Sequence, residues 1–157
     1  MNLYRYFKRL IDLFFCISIL LLIAPFFLIL ILYYLFIEGR PIFFTQLRLG
    51  KDQKEFMVFK LRTLRVTNSL SEKDLIYLGK FLRKSAIDEI PSLINIFKGE
   101  MSLVGPRPLL VEYKNFYNEE ENKRHKVLPG LTGLAQIKGR NSLNWKNKFR
   151  YDVFYYK

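Results

Sequence analysis

The sequence predicts an α+β chain, mainly helical, in which a small β-hairpin and membrane-surface helices follow an N-terminal membrane helix. Three observations carry this prediction. Residues 13–37 form a run of 25 without a formal charge. Two short aromatic and β-branched runs, 41–46 and 56–61, flank the polar stretch Gly50-Lys51-Asp52-Gln53-Lys54, the pattern of a hairpin. Elsewhere the apolar residues recur mostly at helical spacing. A length of 157 residues leaves room for one domain, and a chain that is 50% hydrophobic buries enough surface to exclude disorder. The single cysteine, Cys16, excludes a disulfide scaffold and a Cys-rich zinc module, and its apolar surroundings read as packing. A net charge of +12 points to a phosphate-bearing partner: nucleic acid, anionic lipid or a nucleotide. Nucleic acid is not expected, because the basic residues form no recognisable nucleic-acid motif.

The charge-free run exceeds the ~20 residues needed to cross a bilayer. It is too long for a signal peptide's apolar region, and no small-residue cleavage site follows it. Arg5, Lys8 and Arg9 precede the run and Arg40, Arg48, Lys51 and Lys54 follow it, so both flanks read as cytoplasmic. Pro25 lies at mid-run, where it removes a helix hydrogen bond. On the residues alone, a helix that breaks at Pro25 and returns to the same face and a kinked spanning helix both remain open.

Beyond the hairpin, residues 66–73 read as a loop and 74–84 as a helix with Leu75, Leu78 and Leu82 on one stripe. Ser85 is expected to cap a second helix, with Asp88 three positions on, whose buried face is Ile87, Ile90, Ile94 and Phe97 and which stops at Gly99. Met101 to Val104 is a short apolar run, and Pro108 suits the first turn of a helix reaching about Lys123. Trp145, Phe149, Val153 and Tyr156 recur at helical spacing among Lys146, Lys148 and Arg150. That helix either lies at the membrane interface or docks on the core.

The notable acids are the adjacent Asp88 and Glu89. Neighbours on a helix point about 100° apart, so they would divide labour rather than face one atom as a dyad. A helix N-terminus favours an ionised carboxylate, the form needed for nucleophilic attack or for holding a metal. Plain helix capping is the competing reading. Basic residues surround the pair: Arg83 and Lys84 just before it, Lys60 and Arg62 at the end of the hairpin, and Arg107 clamped between Pro106 and Pro108. A rigidly held guanidinium suits bidentate phosphate contacts. The lone His125 reads as structural.

Several motifs recur in order. They are Lys8-Arg9-x-x-Asp12, Gln46-x-Arg48-x-Gly50, Lys60-Leu61-Arg62-Thr63, the stretch from Gly79 through Arg83-Lys84-Ser85-Ala86-Ile87-Asp88-Glu89-Ile90-Pro91, Lys98-Gly99-Glu100-Met101-Ser102-Leu103-Val104-Gly105-Pro106-Arg107-Pro108, Pro129-Gly130-Leu131-Thr132-Gly133-Leu134-Ala135-Gln136, and Gly139-Arg140-Asn141. With them the chain resembles the monotopic phosphoglycosyltransferases, bacterial sugar transferases that move a sugar-1-phosphate from a nucleotide sugar to polyprenyl phosphate.

The resemblance implies a re-entrant membrane helix over residues 1–38 broken near Pro25 and a cytoplasmic catalytic domain over 39–157, at the cytoplasmic face of the bacterial inner membrane. It implies Asp88 as nucleophile and Glu89 as a magnesium-associated carboxylate, with Arg83 and Arg107 on phosphate and Lys60, Arg62 and Arg140 as further phosphate contacts. The expected cofactor is Mg2+. The expected partners are a UDP-sugar, polyprenyl phosphate, membrane lipids and downstream glycosyltransferases. The chain departs from the family in having Ala24-Pro25 for Ser-Pro, Leu61 and Leu64 for Phe and Met, Leu134 for Trp, and Asp74 and Ile76 before Gly79. It also stops at Lys157, where the family continues into further membrane-surface helices, so it reads as a truncated form. The alternative to an enzyme is therefore an inactive homologue that binds polyprenyl phosphate or partner enzymes.

Overall fold

The computed structural model describes residues 3–65, 75–139 and 142–157, so the expected loop at 66–73, Asp74 and Arg140 lie outside the described residues. The fold is mostly helical, with one long apolar N-terminal helix and a small antiparallel hairpin. Helix α1 spans Leu3–Tyr33, and Pro25 lies inside it without ending it; a π-helical turn, Tyr34–Glu38, follows. This is one helix long and apolar enough to cross a membrane.

One face of α1 is turned toward the rest of the chain along its whole length. Asp12, Cys16, Ile19, Ile23, Phe27, Leu30 and, in the π-helical turn, Tyr34 are buried or half-buried at steps of three or four residues, while neighbours such as Leu21, Leu22 and Phe26 are exposed. Such steps keep a single stripe in phase with the helix. At the N-terminal end Cys16 and Ile19 pack with Phe56, Val58, Leu93, Ile96 and Met101. At the other end Phe27, Leu30, Tyr33 and Tyr34 pack with Leu61, Ile76 and Leu82.

Polar contacts lock each end. Asp12 accepts from Ser102 Oγ at 2.8 Å and from the Leu103 backbone N–H at 3.2 Å, and pairs with Lys8 at 3.3 Å. Arg9 donates to the carbonyls of Ile96 and Phe97 at 2.5 and 2.9 Å, satisfying acceptors at the end of the third helix. The Tyr34 hydroxyl donates to the Arg62 carbonyl.

Strands β1 (Phe43–Leu49) and β2 (Glu55–Leu61) form the expected hairpin, paired from Phe43↔Leu61 to Leu49↔Glu55. The first strand runs to Leu49 rather than Gln46. Helix α2 is only Gly79–Ser85, shorter than the stretch expected from residue 74, because Leu75 is held in an extended bridge with Leu64. Ser85 is the last residue of α2 and not a cap. Ala86 takes a left-handed φ of 59°, and the Ser85 hydroxyl instead donates back to Phe81 and Leu82.

A 3₁₀ turn, Ile87–Ser92, leads into α3, Leu93–Lys98. The tighter winding shifts the phase, so Leu93, Asn95 and Ile96 are buried and Ile94 and Phe97, expected inside, are exposed. Strand β3, Ser102–Val104, pairs in parallel with β4, Gly130–Thr132.

The long helix expected from Pro108 is absent. Leu110 bridges Arg48 beside the hairpin, a 3₁₀ turn covers Val111–Asn115, and helix α4, Glu119–Asn122, starts afresh from an Asn118 capping box. Helix α5 is Leu134–Lys138 and α6 is Trp145–Tyr156. Of the two readings of α6, docking on the core is the one observed, since Asp152 and Val153 are buried. Cys16 is fully buried in the first cluster, as its apolar setting implied.

Candidate active site

The Asp88-Glu89 pair stands in the first turn of the 3₁₀ segment after Ala86, packed against β2. Glu89 is held from two sides: its Oε1 accepts from Lys60 Nζ at 2.7 Å and from Arg107 Nη2 at 2.7 Å, with Arg107 Nη1 at 3.4 Å from Oε2. Burial by itself would raise the Glu89 pKa, but the Arg107 guanidinium and the Lys60 ammonium outweigh it and hold the carboxylate at about 2. Asp88 moves the other way. Burial and the adjacent Glu89 charge push it up, with Lys60 and Arg83 opposing. The two neighbours are thus shifted in opposite directions, Glu89 down and Asp88 up. Among the described residues no side chain pairs with the Asp88 carboxylate.

Three close backbone approaches place Arg107. Gly105 hydrogen-bonds to the Thr132 carbonyl and Gly130 to the Pro106 carbonyl. A Cβ on Gly105, Gly130 or Gly133 would collide with main-chain atoms of the facing segment. Arg124 completes the support by donating to the Arg107 carbonyl at 2.6 Å.

A cavity of about 1090 Å³ opens over these groups, and Lys60, Arg62, Arg83, Asp88, Glu89 and Arg107 all line it. Arg83 is exposed and donates from Nε to Thr63 at 2.8 Å. Arg62, expected on phosphate, is buried, and four of its N–H donors go to the carbonyls of Pro41, Leu64, Glu38 and Gly39, which clamps the turn after α1.

Ile19 of α1, with Phe43 and Phe44 of β1, gives the cavity an apolar lining. Further lining comes from α5 and α6, which carry Gln136, Trp145 and Phe149. Sequence reading missed the α6 residues and Arg124, because contacts between residues 107, 124 and 152 leave no local pattern. Gln136 stood inside a recognised motif but had no assigned role. His125 is structural, as expected: buried, with Nδ1 3.2 Å from the Gly50 carbonyl.

A long apolar helix docked beside a cationic cavity that holds an Asp-Glu pair is the layout of a membrane-associated group-transfer protein. The chain matches the bacterial sugar transferase family over residues 3–157 and belongs to it. It is 46% identical over 125 residues to an uncharacterized sugar transferase, EpsL, of Bacillus subtilis (strain 168), covering 74% of this chain and 61% of that protein. It is 38% identical over 144 residues to a UDP-glucose:undecaprenyl-phosphate glucose-1-phosphate transferase of Klebsiella pneumoniae, covering 85% of this chain and 31% of that one. It is 32% identical over 177 residues to an undecaprenyl-phosphate galactose phosphotransferase of Salmonella typhimurium, covering 98% of this chain and 37% of that one. The chain thus spans less than two thirds of the length of each of these three relatives.

Proposed function

We propose that this chain transfers a sugar-1-phosphate from a UDP-sugar to polyprenyl phosphate at the cytoplasmic face of a bacterial inner membrane, releasing UMP. The observation that carries this reading is the polarity of one cavity: apolar lining shared with α1, a cationic floor, and Asp88, without a partner side chain among the described residues, beside a fixed Glu89. Two anionic substrates, one soluble and one anchored in lipid, need that combination. The relatives named for undecaprenyl-phosphate sugar-1-phosphate chemistry support it.

In this reading the Asp88 carboxylate attacks the phosphorus that bears the sugar, the bond to the UMP oxygen breaks, and an acyl phosphate forms. The lipid phosphate then attacks the same phosphorus and returns the carboxylate. Arg83 and Arg107 neutralise phosphate oxygens during both steps. Among the described residues no group of three or more His, Cys, Asp or Glu comes together to form a self-sufficient metal cage. The ionised Glu89, with Asp88 beside it, supplies hard oxygen donors of the kind magnesium prefers, and these two residues would hold the ion. Bound there, Mg2+ would supply charge neutralisation of the diphosphate.

The membrane anchor is read as re-entrant. Arg5, Lys8 and Arg9 precede the charge-free run and Arg40, Arg48, Lys51 and Lys54 follow it, and basic flanks favour the cytoplasmic side. Both basic flanks then lie on one side of the membrane.

The test is incubation with a UDP-sugar in the absence of lipid. UMP release and a sugar-phosphate mass on the peptide containing Asp88, lost in Asp88→Asn, are expected. Binding of polyprenyl phosphate with neither signal would transfer the assignment to a binding-only homologue.

A further inference from the structure

The α5/α6 wall of the cavity holds an unexplained group. Both polar atoms of the Gln136 carboxamide, Nε2 and Oε1, are shielded from water and have no hydrogen-bond partner among the described residues. The side chain lines the cavity, and its Oε1 sits where Gly133 has no side chain; a Cβ there would stand 2.8 Å away. Gly133 is itself packed on Gly105, two residues before Arg107, so this amide lies on the Arg107 side of the phosphate floor. Buried amides without partners are rare, because each unmade bond is destabilising.

The chemistry of the group restricts what fits it. A carboxamide presents N–H donors on Nε2 and an accepting oxygen on Oε1 side by side in a single plane. Phosphate only accepts, so it would leave Oε1 unpaired, and a polyprenyl chain offers neither function. A ring edge with a carbonyl beside an N–H satisfies both atoms at once. The neighbouring wall is aromatic, with Trp145 and Phe149 facing the same cavity, which suits a flat ring. Resting on the reading above that a UDP-sugar enters this cavity, we propose that Gln136 reads the pyrimidine base of the nucleotide, Nε2 donating to a ring carbonyl and Oε1 accepting from the adjacent ring N–H.

The test uses the full chain in detergent or nanodiscs, with UMP and N3-methyl-UMP as probes. Wild-type protein should bind UMP about tenfold more tightly than the methylated analogue, which lacks the ring donor. In Gln136→Leu, UMP affinity should fall about tenfold and the preference between the two probes should shrink to less than about twofold. The melting temperature should be unchanged or higher, because two unpaired buried polar atoms are removed. Gln136→Glu, close in volume and without the donor, should also weaken UMP binding, and it serves if the leucine variant fails to fold. Unchanged discrimination between the probes in the variants would overturn the assignment while leaving transferase activity standing. Unchanged UMP affinity with a raised KM for the UDP-sugar would place Gln136 on the sugar and also overturn it. Failure of the wild type to bind UMP at all would bring down the proposed function with it.

Discussion

Asp152 on the last helix holds Arg124 through a single oxygen, with Nε at 3.0 Å and Nη2 at 2.8 Å, and that same Nη2 reaches the carbonyl of Arg107. Both partners of the ion pair are almost completely buried. The chain's last helix is therefore tied, through one guanidinium, to the main chain that presents Arg107 to Glu89.

Breaking that tie should cost both stability and substrate binding. Asp152→Ala leaves a buried guanidinium uncompensated, for which about 3–5 kcal/mol of destabilisation is expected. Asp152→Asn, which keeps an acceptor, should lose less and show a raised KM for the UDP-sugar with a smaller change in kcat. Denaturant unfolding and steady-state kinetics check the two halves, and an unaltered KM would separate α6 from the placement of Arg107.

Glu89 should report its two cations as a pH effect. Its folded pKa, at about 2, lies below the ordinary glutamate value of 4.5, so the stability it contributes is present above pH 4.5 and lost as pH falls toward 2. Allowing for the solvent around Arg107, the contribution is of the order of 2 kcal/mol. The stability gap between wild type and Glu89→Gln should thus be constant above pH 5 and close below it. The same variant should show sharply reduced turnover and a weakened response to magnesium, measured as initial rates across a Mg2+ titration.

His125 provides a separate window. Burial, helped by the Arg124 charge, lowers its pKa from 6.5 to about 4. The unfolded chain takes up a proton near pH 6.5 that the folded chain refuses. Stability is therefore full above pH 6.5, falls as pH drops, and has lost about 3 kcal/mol by pH 4. His125→Asn, which retains a donor for the Gly50 carbonyl, should flatten the profile between pH 6.5 and 4.5. Chemical denaturation at half-unit pH steps would show it.

The topology is tested with single cysteines at Arg5 and Lys54 in a Cys16→Ala background. Both should resist an impermeant thiol reagent applied to intact cells and react after permeabilisation. Labelling of only one from outside would establish a span.

The sequence made some of this legible and hid the rest for physical reasons. The hairpin was readable because its two strands alternate around a polar turn, and Lys60 to Glu89 could be grouped because each stood in a dense basic or acidic motif. Helix limits were harder, since they were set by partners elsewhere in the chain. Leu75 is drawn into extension by Leu64, Leu110 by Arg48, and Ala86 turns left-handed where Ser85 looked like a cap. Arg62 was legible as a cation but not as a clamp, because its ligands are backbone carbonyls that no side-chain pattern announces. Arg124 and Asp152 lie 28 residues apart and only the fold introduces them.

The continuous stripe on α1 also makes the length of that helix discontinuous. Adding one residue near Pro25 would rotate everything beyond it by about 100°, turning either Asp12 or Tyr34 away from its socket. Adding a full turn of three or four residues would bring the face back and lengthen the helix by about 5 Å. The length of this helix can therefore change only in whole turns, with intermediate lengths undocking one of its two packed clusters.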